Sequence, residues 1–238
     1  MEKNKKFIKV NNTKIKLFLP KDVFIPTATT SFLIRDTLKI LKKNMKVLDL
    51  GCGNGVIGIL INKFYTKKNK IFASDVSDKA VNTAKKNFKL HKCNFELRKG
   101  SLLNPWNNEK FDLIVNDVSG ISEILAKNSS WFKNVPCRSG MDGTKLTLKI
   151  INSSKLYLNK NGSIIFPVIS LSNTNKILKN LNKNFKKVKI LSKNYWFLPD
   201  DLSSNKKKLF QMKKKKLISF DNKFGKIICN TQIIYASN

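Results

Sequence analysis

The chain has 238 residues, 41% of them apolar, and a formal net charge of +32. That length suits one α/β domain with an ample buried core, and no apolar run reaches the roughly 18–20 residues of a membrane span. Four scattered cysteines (Cys52, Cys93, Cys137, Cys229) and a lone histidine, His91, argue against a zinc site, a disulfide scaffold and a histidine-based triad.

The opening MEKNKKFIKV is charged but has no apolar stretch of secretory-signal length. A reducing, cytoplasmic setting is the expectation. The charge does not by itself define a partner. Of the 47 basic residues only Arg35, Arg98 and Arg138 are arginine, the side chain that reads phosphate and guanine in bidentate fashion. Lys, Asn, Ile and Phe crowd the chain, and their codons are rich in A and T, so compositional drift explains much of the lysine surplus. The runs KKK (206–208) and KKKK (213–216) read as a solvated helix face. Non-specific attraction to polyanions still follows from the charge.

After a frayed start over residues 1–6, FIKVNNTKIKLFLP (7–20) alternates and predicts one or two short strands. FIPTATTS follows, then FLIRDTLKILKK, with Leu33, Ile34, Leu38 and Leu41 at helical spacing. From there strands and helices alternate. Strands are expected at 45–50, 70–75, 93–98, 111–117, 163–169, 187–192 and 225–236. Helices are expected at 55–65, 77–91 (capped by Ser77 or Asp78), 143–158 and 173–185. Alternation of this kind, with near-continuous apolar strands such as LIV, predicts a parallel sheet with helices on both faces. Residues 195–224, with YWFLPDD and a Lys-rich helix, break the rhythm. They read as an insertion between two edge strands, a lid or a substrate-recognition piece.

In an open α/β sheet, ligands sit at the carboxyl ends of strands where strand order reverses. VLDLGCGNGVIGI (47–59) is a strand, a glycine-rich turn and a helix. Gly51, Gly53 and Gly55 allow a tight turn and close approach of a ligand. Asp75 ends the next strand, where a carboxylate would accept hydrogen bonds from both ribose hydroxyls. GNGVIG (53–58) satisfies the dinucleotide pattern GxGxxG. Asp49, however, puts a carboxylate where a pyrophosphate would lie. Charge complementarity therefore favours an adenosine ligand with a cationic end, such as S-adenosylmethionine, over NAD or a plain structural turn.

DLGCGNG with Asp75 resembles the first two motifs of class I S-adenosylmethionine-dependent methyltransferases. FIPTATTSFL is similar to the approach segment of the release-factor glutamine and ribosomal-protein methyltransferase group. FDLIVND resembles that group's fourth strand. SGMDGTKLTLKIINSSKLYLNKNGSIIF resembles its Gly-x-Asp-Gly element, helix and fifth strand. The resemblance covers roughly residues 24–168. It implies an α/β, Rossmann-like fold with a mostly parallel seven-stranded sheet, helices on both faces, an antiparallel last strand and an insertion before it. Residues 1–30 would form N-terminal strands and the approach segment, and 31–238 the methyltransferase domain. By the same resemblance Asp49 and the three glycines hold the methionine part of the cofactor, Asp75 the ribose, Val76 lines the adenine and Thr30 closes over the cofactor. The group often has an acidic residue where this chain has Ser101, so adenine contact falls to the Ser101 hydroxyl and the Leu102 backbone. A simple turn is the other reading of Ser101.

Methyl transfer from a sulfonium is an in-line displacement, so the protein need only align the acceptor, strip its proton where necessary and exclude water. The group's Asn-Pro-Pro-Tyr is replaced here by Asp117-Val118-Ser119-Gly120. The stiffening prolines and the aromatic that stacks on an amide are absent. A carboxylate at 117 suits an amine or protonated nitrogen better than a glutamine amide, with Ser119 as a hydrogen-bond partner. The competing reading makes Asp117 the cap of a helix near Ile121. Glu123 and Trp131 are lesser candidates for the same pocket, against readings as surface charge and core packing. The cofactor motif opens by residue 47, which leaves no room for the group's helical recognition domain, so macromolecular specificity would come from residues 1–30 or 195–225.

The sequence thus leads to a methyltransferase acting on a nitrogen of a protein side chain or small amine, without metal or membrane. One alternative is an RNA methyltransferase that grips phosphates with the Lys-rich 203–216 segment. Another is a non-catalytic S-adenosylmethionine-binding protein.

Overall fold

The computed structural model describes residues 5–10, 13–65, 70–135 and 137–238, so the fraying expected at residues 1–4 lies outside the described residues. Lys5 and Lys6 already belong to β1 (Lys5–Val10), which pairs antiparallel with β2 (Thr13–Phe18) in a separate two-stranded sheet. Alternation buries Val10, Ile15 and Leu17 against the main core. The first helix, α1 (Ala28–Ile40), starts earlier than its apolar spacing indicates, because the polar TATTS stretch caps and enters it: the Thr27 amide donates to Thr30 Oγ1 at 3.4 Å.

The rest of the chain runs β3 (Val47–Leu50), α2 (Val56–Tyr65), β4 (Ile71–Asp75), α3 (Asp78–Leu90), β5 (Phe95–Lys99), β6 (Phe111–Asn116), α4 (Glu123–Ala126), α5 (Lys145–Ser154), β7 (Leu158–Ile169), α6 (Thr174–Asn184), β8 (Lys187–Phe197), α7 (Asp200–Ser203), α8 (Lys206–Lys214), β9 (Asp221–Lys223) and β10 (Lys226–Ser237). Sheet order is β5-β4-β3-β6-β7-β10-β8, with β9 added to β10 as a short eighth strand. The strands from β3 to β7 are mutually parallel, and β10 is antiparallel to both β7 and β8. The order reverses between β3 and β6, which fixes the crevice at their carboxyl ends.

The sheet is buried on both faces, as all four residues of β3 being buried requires. On one face Leu33, Ile34, Ile59, Leu60 and Phe88 pack against Val47, Leu113 and Val115. On the other, Leu48, Ile114, Ile164 and Phe166 meet Ile151, Ile177 and Leu181. There Trp106, fully buried, stands edge-on to Phe72 and Phe111 at 5.8 and 5.5 Å, contacts worth about 0.5–1.5 kcal/mol each beyond burial. The Trp106 indole N–H donates to Ser74 Oγ at 2.9 Å, so its one polar atom is satisfied.

β8, β7 and α5 also differ from the sequence expectation. β8 continues through Tyr195-Trp196-Phe197, because β10 is long enough to pair with them: Asn230 faces Tyr195, Cys229 faces Trp196 and Ile228 faces Phe197. The inserted segment therefore starts at Leu198. Its α7 and α8 bury Leu198, Leu202, Leu209 and Met212 in a third apolar cluster with Ile121, Leu125 and Phe220. β7 begins at Leu158 and runs through Asn161-Gly162, with a register shift against Phe111 and Leu113. α5 is correspondingly shorter and ends at Ser154, before a 3-10 turn over Lys155–Tyr157. Among the described residues no helix is long and apolar enough to cross a membrane.

Candidate cofactor and acceptor site

Backbone geometry at the end of β3 builds the floor of the site. The Gly51 and Cys52 amides both donate to the Ser74 carbonyl, at 2.9 and 3.0 Å, which clamps the turn onto β4. Gly51 has φ +74, and a Cβ there would lie 2.7 Å from Val118 Cγ2, so only glycine allows the β6 loop to come this close. Gly53 has φ +53, and its missing Cβ would point into open space. A cavity of about 730 Å³ opens over this turn. It is lined in sequence order by the 22–30 approach segment, the Gly51–Asn54 turn, Ser74–Asp78, Gly100–Leu102, Asp117–Ile121 and an aromatic wall.

Asp75 sits in the cavity wall at the end of β4. Its Oδ2 accepts from the Gly53 amide at 3.0 Å and its Oδ1 from the Ser77 amide at 2.9 Å. These bonds hold the carboxylate edge-on, while burial works against them and raises its pKa. Val76 beside it is 63% exposed and forms part of the rim. Ser101 and Leu102 line the same end, with Leu102 in the left-handed region at φ +49, a conformation a leucine adopts only under local constraint.

Two of the expected contact residues lie elsewhere. Asp49 is 1% exposed and lies behind the turn, outside the cavity wall, because β3 directs its side chain beneath the start of α2. There its Oδ2 accepts from the Gly58 amide at 3.0 Å, and its Oδ1 is buried without a hydrogen-bond partner. Gly55 is also outside the wall; its missing Cβ makes room for the Phe88 ring, 3.1 Å from that position. Asp49 is nevertheless close enough to the site's carboxylates to be affected by them. Burial first, then the nearby Asp117 and Asp75 carboxylates, raises its pKa to about 7. Three carboxyl groups converging on one turn, with one orphan oxygen, suit a ligand that carries positive charge.

The end of the cavity beside the β6 loop holds Asp117. Its amide donates to the Leu50 carbonyl at 3.1 Å, which ties the β6 loop to β3. Its Oδ2 accepts from the Thr30 hydroxyl at 3.1 Å. Burial raises its pKa to about 7 against the pull of that hydrogen bond. Asp117 does not cap a helix; Ser122 caps α4, with its Oγ accepting from the Ile124 amide. Ser119 lines the cavity beside it. Glu123 does not: its Oε1 accepts from the Gly140 amide at 2.8 Å. Trp131 does line the cavity, standing edge-on to Trp196 at 5.7 Å.

Sequence reasoning missed several members. Trp196 donates its indole N–H to Thr231 Oγ1 at 3.0 Å and closes one side of the cavity. Phe24 and Phe132, with ring centroids 5.3 Å apart, close another. Arg138 stands exposed at the rim. Asn54, 3% exposed, donates to the Phe24 carbonyl at 2.9 Å and so fastens the approach segment to the glycine turn. Asn87, fully buried, donates from Nδ2 to the carbonyls of Phe18 and Asn54. The lysines of α8 are not among the lining residues.

Residues 27–117 match the family described as the Methyltransferase small domain. The release factor glutamine methyltransferase of Borreliella burgdorferi is 33% identical over 159 residues, covering 63% of this chain and 54% of that protein. The chain spans about half the length of the curated relatives it matches. A ribosomal protein L11 methylase structure from Lactobacillus delbrueckii subsp. bulgaricus superposes with a TM-score of 0.57 at 23% identity, over 92% of this chain and 83% of that one. A T. thermophilus 16S rRNA N2 G1207 methyltransferase, solved with AdoMet and guanosine, superposes with a TM-score of 0.60 at 10% identity, over 98% and 50%. Both structures share the Rossmann-like fold.

Proposed function

We propose that this chain, a member of the class I S-adenosylmethionine-dependent methyltransferases, transfers a methyl group from S-adenosylmethionine to a nitrogen of a protein side chain or small amine. The observation that carries this reading is continuity: one cavity joins Asp75 and the glycine turn to Asp117 and the aromatic wall. Bound S-adenosylmethionine supplies an electrophilic methyl on a cationic sulfur. Asp75, held edge-on by the Gly53 and Ser77 amides, accepts the ribose hydroxyls with its remaining lone pairs. The Ser101 and Leu102 segment borders the adenine end.

Asp117 is the residue for the acceptor. With a pKa near 7 it holds or releases a proton at neutral pH, which suits the deprotonation of an ammonium acceptor. The Thr30 hydroxyl fixes the carboxyl's orientation, and Ser119 offers a second hydrogen bond to the same nitrogen. Phe24, Phe132, Trp131 and Trp196 exclude water from the acceptor end.

The test is transfer of labelled methyl from S-adenosylmethionine into separated protein, small-molecule and RNA fractions, with calorimetric titration of S-adenosylhomocysteine alongside. Label in the protein or amine fraction is the expected result. Label confined to RNA would overturn the acceptor assignment, and cofactor binding without any transfer would leave a binding protein only.

A further inference from the structure

We propose that the outer face of β8 and β10 is a stacking platform for single-stranded RNA, separate from the cavity and independent of what the cavity methylates. Successive side chains of a strand point to opposite faces. Trp196 faces the cavity, so Tyr195 and Phe197 face away from it, and they are 60% and 62% exposed. Each ring carries an ammonium: Lys193 Nζ lies 5.0 Å from the Tyr195 centroid and Lys226 Nζ lies 5.1 Å from that of Phe197. The Tyr195 and Phe197 positions are two residues apart on one strand, about 7 Å, and among the described residues the edge of β8 has no further strand beside it.

A protein partner would cover such rings with apolar surface, but here each ring is met by a lysine ammonium, Lys193 on Tyr195 and Lys226 on Phe197. Lys226 pairs with Lys223 across the β9–β10 turn, and Asp221, opposite Ile228, is the carboxylate next to them. The local balance is positive, on a chain of net charge +32. Exposed rings at strand spacing, flanked by cations, stack bases and neutralise phosphates without reading sequence. A duplex keeps its bases stacked on one another and offers no free base faces to these rings, which leaves single-stranded RNA as the occupant.

The experiment measures fluorescence anisotropy of a labelled oligouridylate of about 12 nucleotides and of an RNA duplex of equal length. Wild-type protein is expected to bind the single strand more tightly than the duplex. Y195A/F197A should weaken single-strand binding about tenfold or more, and Y195F/F197Y should restore it. S-adenosylhomocysteine affinity should stay unchanged throughout. K193Q/K226Q should flatten the dependence of log K on log salt by about 1.4, at about 0.7 per lysine. Equal binding by wild type and Y195A/F197A would overturn the proposal, as would a duplex bound as tightly as the single strand. Self-association that Y195A/F197A abolishes would assign the face to a second copy instead. Photocrosslinking of 4-thiouridine-substituted oligouridylate to the wild-type protein gives a reading that needs no variant: crosslinks should map to the peptide carrying Tyr195 and Phe197, and crosslinks only elsewhere would refute the assignment.

Discussion

Asp117→Asn separates the charge of the acceptor residue from its shape. The amide keeps an oxygen for the Thr30 hydroxyl, which donates to Asp117 Oδ2 at 3.1 Å, and it keeps the volume that fills the loop beside Val118. What disappears is ionisation. Burial moves the wild-type carboxyl from its ordinary 3.8 to about 7, so the folded protein holds this proton more tightly than the unfolded chain does. Stability of the wild type therefore falls as pH rises from about 4 to about 7 and levels off above that. At about 1.36 kcal/mol per pH unit the full effect is about 4 kcal/mol, and access of cavity water reduces it to about 2–4 kcal/mol. Urea denaturation from pH 4 to pH 8 measures it. Asp117→Asn should match the wild type near pH 4 and exceed it by that amount at pH 8. Methyl transfer to an amine should fall about 10²–10⁴-fold, since an amide cannot take the proton. Parallel stability curves for the two proteins would refute the premise that this carboxyl is desolvated, and with it the poised base.

Asp75→Ala should weaken S-adenosylhomocysteine binding by about 1.5–3 kcal/mol in calorimetry, through lost ribose hydrogen bonds and release of the Gly53 amide; unchanged affinity would remove Asp75 from that role. Gly51→Ala sets a methyl 2.7 Å from Val118 Cγ2 at φ +74, which should lower stability by about 1–3 kcal/mol and weaken cofactor binding, whereas Gly53→Ala, with open space at its Cβ, should cost about 1 kcal/mol from backbone strain alone. Asp36 is 1% exposed and paired with Arg35 and Lys39 at 3.0 and 3.2 Å, with Ser192 donating to it as well. Although burial opposes it, hydrogen bonds from Arg35, Ser192 and Lys39 hold its pKa below 3.8. This stabilisation is present above the ordinary carboxylate range and is lost as pH falls below it. Asp36→Ala should cost about 1–3 kcal/mol at neutral pH by taking the shared acceptor from Arg35, which is one-third exposed, and from Ser192, and an unchanged thermal unfolding midpoint would show the pair to be dispensable.

The parts legible in the sequence are those whose chemistry is local. The glycine turn announces itself because a tight turn against β6 tolerates no Cβ, and Asp75 because it ends a strand at a fixed distance from that turn. Ser77 reads as a cap because a hydroxyl before an apolar-periodic run has one common use, and its Oγ does accept from the Ala80 amide. The missed parts depend on partners far along the chain. Nothing near Asn54 or Asn87 signals that their amides would bridge to Phe24 and Phe18, 30 and 69 residues away. Nothing in YWFLP fixes it as strand; the free edge of β10 does that. Gly55 and Gly51 look equivalent in the motif, yet one packs on Phe88 and the other on Val118.

The same distinction explains the acceptor site. The Asn-Pro-Pro-Tyr pattern would place its aromatic at position 120, where this chain has Gly120, and a Cβ there has only Thr147 Oγ1 and the Val118 carbonyl within 4 Å. That space belongs to the cavity, whose aromatic lining comes instead from Phe24 in the approach segment, Trp131 and Phe132 after α4, and Trp196 in β8. The aromatic surface has moved from the loop to the surrounding wall, and a carboxyl stands where an amide-gripping asparagine would. A ring in the loop stacks on a flat amide held against it. Aromatic rings sharing a cavity with an ionisable carboxyl suit an apolar stem that ends in a cationic nitrogen. The departure from the motif and the aromatic lining are thus the grounds for proposing an amine, rather than a glutamine side chain, as the acceptor.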